Sequence, residues 1–158
     1  MAIVGTAMPP SPGASPAPYV AASVYSRHQG ADSQRHVTIS FMVDTGADRT
    51  VLSLRKARQL IRHDWEAVCQ TSVTLEGIGG TQAYWEVPLR IWFWDVALQR
   101  HVYVDPPVLV PFYSEVQDLA ELHSERQGRE PVSLLGRDVF GHMRLEFDLT
   151  QPEPVVLR

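Results

Sequence analysis

The sequence predicts a mainly β, single-domain fold, closed or barrel-like, with two or three short helices among its strands. Three observations carry that expectation. Apolar residues recur at every second position in several short runs, helical spacing holds only over brief segments, and Gly or Pro clusters close most of the runs. Residues 1–18 mix Ala, Gly, Ser and Pro, offer little apolar surface to offset the entropy of ordering, and are expected as a flexible arm ahead of a domain at 19–158. Residues 19–25 read as a strand, 27–35 as a polar connection, and Val37, Ile39, Phe41 and Val43 alternate with Thr38, Ser40 and Met42 as the second strand of a hairpin. That strand runs into Asp44-Thr45-Gly46-Ala47-Asp48, where small residues and a glycine mark a tight turn.

Ser53 can cap a short helix through Ile61, with Leu54, Ala57, Leu60 and Ile61 on one face and Arg55, Lys56 and Arg58 on the other. Strands at 71–75 and 83–94 flank Gly77-Ile78-Gly79-Gly80, a glycine-rich hairpin tip, and a further pair at 101–104 and 108–110 is separated by Asp105-Pro106-Pro107. Ser114 with Gln117 resembles a capping box opening a helix to about Arg126, whose Val116, Leu119, Ala120 and His123 share a face. An apolar run at 132–135 ends at Gly136, a short turn or helix covers 137–142, and Leu145, Phe147 and Leu149 alternate as a last strand. The aromatic cluster Trp85, Trp92, Phe93 and Trp94 is expected as packed core or interface.

Composition narrows the function classes. The 158 residues carry 14 Lys and Arg against 18 Asp and Glu, with no basic stripe of the kind a phosphate backbone requires, so nucleic acid is not an expected partner. No apolar run approaches the roughly 20 residues of a membrane-spanning helix. The six histidines are scattered without ligand spacing and Cys69 is the single cysteine, so no metal and no disulfide is expected, and Cys69 reads as a packed thiol. The first 20 residues make a poor signal peptide, and the expected compartment is cytoplasmic.

Asp-Thr-Gly alone is a common turn sequence in which the carboxylate bonds its own backbone. Its context is more specific. The segment Phe41-Met42-Val43-Asp44-Thr45-Gly46-Ala47-Asp48-Arg49-Thr50-Val51-Leu52 resembles the active-site segment of retropepsins, the aspartic proteases of retroviruses and their cellular and bacterial relatives. Gly77-Ile78-Gly79-Gly80 is similar to the tip of the retropepsin flap, and Leu134-Leu135-Gly136-Arg137-Asp138 is similar to the segment that packs beside the catalytic turn in that family. The three matches fall in the family's order and anchor roughly residues 37–147, leaving the Pro-rich arm and the stretch around 112–131 unmatched.

The resemblance implies an acid-protease barrel active as a homodimer, with no cofactor. It implies Asp44, Thr45 and Gly46 as the catalytic turn, the Thr45 hydroxyl bonding across the dimer and Gly46 donating to the carboxylate. It implies Ala47, Asp48, Gly77, Ile78, Gly79 and Gly80 against a peptide substrate, and Arg137 as structural support. Asp48 and Arg137 resemble a family pair, which a purely structural ion pair would also explain. Peptide hydrolysis without metal or protein nucleophile needs a base to activate water and an acid to protonate the carbonyl oxygen, a task two adjacent carboxyls perform by sharing one proton. A two-lobed pepsin-like chain carries the motif twice on about double this length, so a single copy calls for a symmetric partner.

Departures from the family are equally visible. The arm is long and the tail holds Gln151-Pro152-Glu153-Pro154, so 145–149 or the final Val155-Val156-Leu157 is the expected strand across a twofold axis. Arg49 stands where viral members often carry an acidic or small residue near substrate side chains, so their specificity does not transfer. The alternative function is a noncatalytic peptide-binding or dimerisation module on the same fold.

Overall fold

The computed structural model of the chain describes residues 1–27, 35–61, 69, 71–77 and 80–158. In chain order it contains β1 (Ile3–Met8), β2 (Ala17–Ser26), β3 (His36–Val43), α1 (Leu54–Leu60), β4 (Thr71–Gly77), β5 (Gly80–Asp95), β6 (Arg100–Val104) and β7 (Pro107–Pro111). These are followed by α2 (Glu115–Arg126), β8 (Ser133–Leu135), α3 (Arg137–Phe140), β9 (Leu145–Phe147) and β10 (Val155–Leu157).

The strand of greatest reach is β5. Its 16 residues alternate along most of their length, with Val87, Leu89, Ile91, Phe93 and Asp95 all buried. Such length lets it pair antiparallel with β4 and β7 over its first half and with β2 and β6 over its second. On β2 lies β3, and β3 carries β8 in parallel register, Phe41 opposite Ser133 and Val43 opposite Leu135. The core forms where these faces meet α1, from Val24, Ile39, Phe41, Leu52, Ala57, Leu60, Ile91 and Leu135 among others. Cys69 is packed there as expected, and burial pushes its thiol up to about 11.

The expected closed barrel is not formed. The sheet runs β4-β5-β2-β1-β10-β9 and stays open, with β4 and the three-residue β9 at the two ends of that path. Nor do residues 1–18 form a flexible arm throughout. Strand β1 pairs through Ile3–Gly5 with Leu157–Val155 and through Thr6–Met8 with Tyr19–Ala17. Gly5 makes that possible, since a Cβ there would lie 2.0 Å from the Tyr19 carbonyl oxygen. Pro9, Pro10, Pro12 and Pro16 occupy the connection between β1 and β2, where a missing N–H breaks no ladder, while Pro18 stands within β2 opposite Ala7. The tail Val155–Leu157 lies between β1 and β9 of its own chain.

Helix α2 differs from expectation in its packing. Ser114 accepts from Gln117 N, but the Gln117 side chain bonds Glu121 in place of closing the box, and no residue of the helix is buried. Val116 and Leu119 are 79% and 57% exposed. Charge holds the helix in place: Arg55 pairs with Asp118 and Glu125, Arg58 pairs with Asp118, and Glu121 accepts from the first N–H groups of α1, Leu54 and Arg55. Within the aromatic cluster, Phe93 is core, Trp85 stacks on Phe112 at 4.3 Å, and Trp94 is 44% exposed.

Candidate active site

The segment after β3 cannot continue as a strand, since its next neighbours are short, polar and glycine-containing, and it turns at Thr45-Gly46. Asp44 leaves the sheet with its N–H on the Leu135 carbonyl at 3.2 Å, and its own carbonyl accepts from Ala47 N. The Asp44 carboxylate accepts from Gly46 N at 2.9 Å through Oδ1 and is half-buried. Its two turn neighbours, Thr45 and Gly46, are exposed.

A frame of long-range bonds fixes the turn from behind. Val51 exchanges both backbone bonds with Leu134, at 2.9 and 2.8 Å, while Leu109 bonds Thr50 and Leu52 on the other side. Arg137 N donates to Ala47 O and Asp138 N to Asp48 O. Thr50 is fully buried at the centre of the frame. Its hydroxyl donates to Asp138 Oδ1 at 2.7 Å and accepts from Gly136 N at 3.0 Å, and its N–H donates to Asp138 Oδ2. Gly136 is pressed so close that a Cβ would stand 2.4 Å from the Arg49 carbonyl carbon.

Thr50→Val keeps the shape and removes the hydroxyl, leaving a buried N–H without its acceptor and a carboxylate oxygen without its donor. It is expected to lower stability by about 1–3 kcal/mol, read as a shift of the urea midpoint, with Thr50→Ser costing less. Equal midpoints for Thr50→Val and wild type would contradict this account of the frame.

Arg49 extends the frame outward. Its guanidinium donates to Glu86 at 2.8 Å and to the Pro107 carbonyl at 2.9 Å, and lies 3.7 Å from Asp138. Asp48 pairs with Arg137 through exposed side chains. Above the turn, β4 and β5 meet as a hairpin with Gly77 opposite Gly80, and Gly80 has a φ of 104°, a backbone region that favours glycine. Ile78 and Gly79, the expected tip, lie outside the described residues. A cleft of about 530 Å³ separates the two parts, with Gly46, Ala47, Asp48, Arg49, Val51 and Leu134 below and Leu75, Glu76, Gly80, Thr81, Gln82 and Tyr84 above.

Among the expected site residues, the structure thus brings Gly46, Ala47, Asp48 and Gly80 to one cleft beside Asp44. Arg137 sits behind the turn. Sequence reasoning passed over Thr50 and the Glu86 partner of Arg49. The only local signal for Thr50 was a hydroxyl residue directly after the turn. Among the described residues no cluster of His, Cys, Asp and Glu is arranged to hold a metal ion, and no helix is long and apolar enough to cross a membrane.

The half-buried Asp44 carboxylate thus stands on a braced turn whose next residues, Gly46 to Arg49, line a cleft beneath the β4–β5 hairpin. A family model described as aspartyl protease matches residues 30–139. This chain belongs to that retropepsin-like aspartyl protease family. A search of curated proteins finds no match.

Proposed function

We propose that the protein is an aspartic endopeptidase that works as a homodimer, with one Asp44 from each subunit forming the catalytic pair. The observation that carries this reading is the single Asp-Thr-Gly turn: the frame braces one carboxylate, and the chemistry needs two. A twofold axis beside the exposed Thr45 and Gly46 supplies the second. The Thr45 hydroxyl then bonds across the axis and Gly46 keeps the carboxylate oriented.

In this mechanism one Asp44 carboxylate takes a proton from water, whose oxygen attacks the scissile carbonyl carbon. The other Asp44, protonated, gives its proton to the carbonyl oxygen. Transfer of a proton to the leaving nitrogen and rupture of the C–N bond release a carboxylic acid and an amine. The substrate lies extended beneath the β4–β5 hairpin, which acts as a flap through Ile78, Gly79 and Gly80, and meets Ala47 and Asp48 from below. The apolar walls Val51, Leu75 and Leu134 favour apolar side chains in this half of the cleft.

A diverse peptide pool, read by mass spectrometry between pH 4 and 8, tests the activity. The reading expects discrete internal cleavages with a shared side-chain preference. A stable dimer that cleaves nothing across that range would overturn it in favour of a peptide-binding module.

A further inference from the structure

Far along β5 from the cleft, Asp95 ends the strand as a fully buried acid. Its Oδ1 accepts three backbone N–H groups, from Ala2 at 2.9 Å, Ala97 at 3.0 Å and Leu98 at 3.2 Å. Its Oδ2 is also buried and meets no hydrogen-bond donor among the described residues. Desolvation raises this carboxyl, yet the three N–H donors and the ammonium at the start of the chain together hold it below the ordinary range. It is therefore a carboxylate. A desolvated carboxylate with one oxygen triply served and the other unserved lacks what such groups require, an opposite charge in direct contact.

The group best placed to provide that charge is the nitrogen already there. Ala2 is 6% exposed, its N lies 2.9 Å from Oδ1, and its carbonyl accepts from Val96 N at 2.9 Å, so both faces of this residue are fixed to the end of β5. Met1 is 47% exposed. We propose that Asp95 is a receptor for the α-ammonium of Ala2, and that the working chain is one from which whatever precedes Ala2 has been removed by hydrolysis.

In the processing step, water adds its hydroxyl to the carbonyl carbon ahead of Ala2 and the C–N bond breaks. The Ala2 nitrogen gains one proton from that water and a second from solvent, becoming an ammonium. A peptidase acting on the exposed residue ahead of Ala2 performs it. The same receptor serves if a longer segment precedes Ala2. Three N–H donors then stand where one amide N–H stood, enough to reach both carboxylate oxygens, and the start of β1 is locked to the turn after β5. Because β1 lies between β2 and β10, that lock steadies the terminal strands of the fold.

The test compares three forms of the full chain, with termini verified by intact mass: one beginning at Ala2 with a free amine, one with Ala2 Nα-acetylated, and one with several residues ahead of Ala2. In urea at neutral pH, the free-amine form is expected to exceed both others in its folded-to-unfolded ratio by on the order of tenfold or more. That advantage is expected to vanish in Asp95→Asn. Equal stabilities of the three wild-type forms would overturn the proposal whether or not Asp95→Asn folds. An advantage that survives undiminished in Asp95→Asn would also overturn it, leaving Asp95 only an acceptor for the turn.

Discussion

Asp44→Asn is expected to lower kcat/KM for peptide cleavage by at least about 10³-fold while leaving the fold intact, because it removes the group that takes the proton from water. The fold should survive because Asn keeps the oxygen that accepts from Gly46 N, and because Asp44 is only half-buried. The backbone bonds of Asp44 to Leu135 and Ala47 do not involve the side chain. Urea midpoints and solution mass matching the wild type, alongside lost cleavage, are the predicted result. Residual cleavage within about tenfold of wild type would mean that Asp44 is a turn residue and the acid lies elsewhere.

Gly136→Ala is expected to be strongly destabilising. The added carbon would meet Arg49 C at 2.4 Å, Arg49 O at 2.5 Å and Thr50 N at 2.8 Å. All three are backbone atoms, locked by the Val51–Leu134 exchange and by the Asp138 carboxylate, so none can swing aside. Overpacking against yielding neighbours costs about 1–3 kcal/mol, and here the expected loss is about 3 kcal/mol or more, on the order of a hundredfold in the folded-to-unfolded ratio. Activity should fall as well, since Gly136 N also anchors the Thr50 hydroxyl. A urea midpoint close to wild type would show that the frame is more pliable than its contacts indicate.

Much of this architecture was legible wherever a segment carries its own pattern. The alternation of Val37, Ile39, Phe41 and Val43 places β3, and the small residues that follow place the turn. The glycine pair at 77 and 80 places the β4–β5 hairpin, and Ser53 places α1. What the sequence hid depends on partners far along the chain. Ile3 and Val4 are too few apolar residues to announce a strand, and β1 is ordered by Val155–Leu157 from the opposite end of the chain. Helix α2 shows apolar residues at helical spacing, yet its orientation follows ion pairs to Arg55 and Arg58, which no periodicity encodes. Thr50 reaches Asp138 across 88 positions, a bond visible only after folding. Closure into a barrel failed as an expectation because strand count says nothing about whether edge strands are long enough to meet.

The central claim is that one active site draws on two chains, and subunit mixing tests it most directly. Wild-type protein is incubated with a tenfold excess of Asp44→Asn until subunits exchange, and cleavage of a fixed peptide is compared with the same amount of wild type alone. If the site is shared, most wild-type chains are captured in inactive pairs and activity falls to about one tenth. Undiminished activity after demonstrated exchange would contradict the shared site and assign catalysis to a single chain.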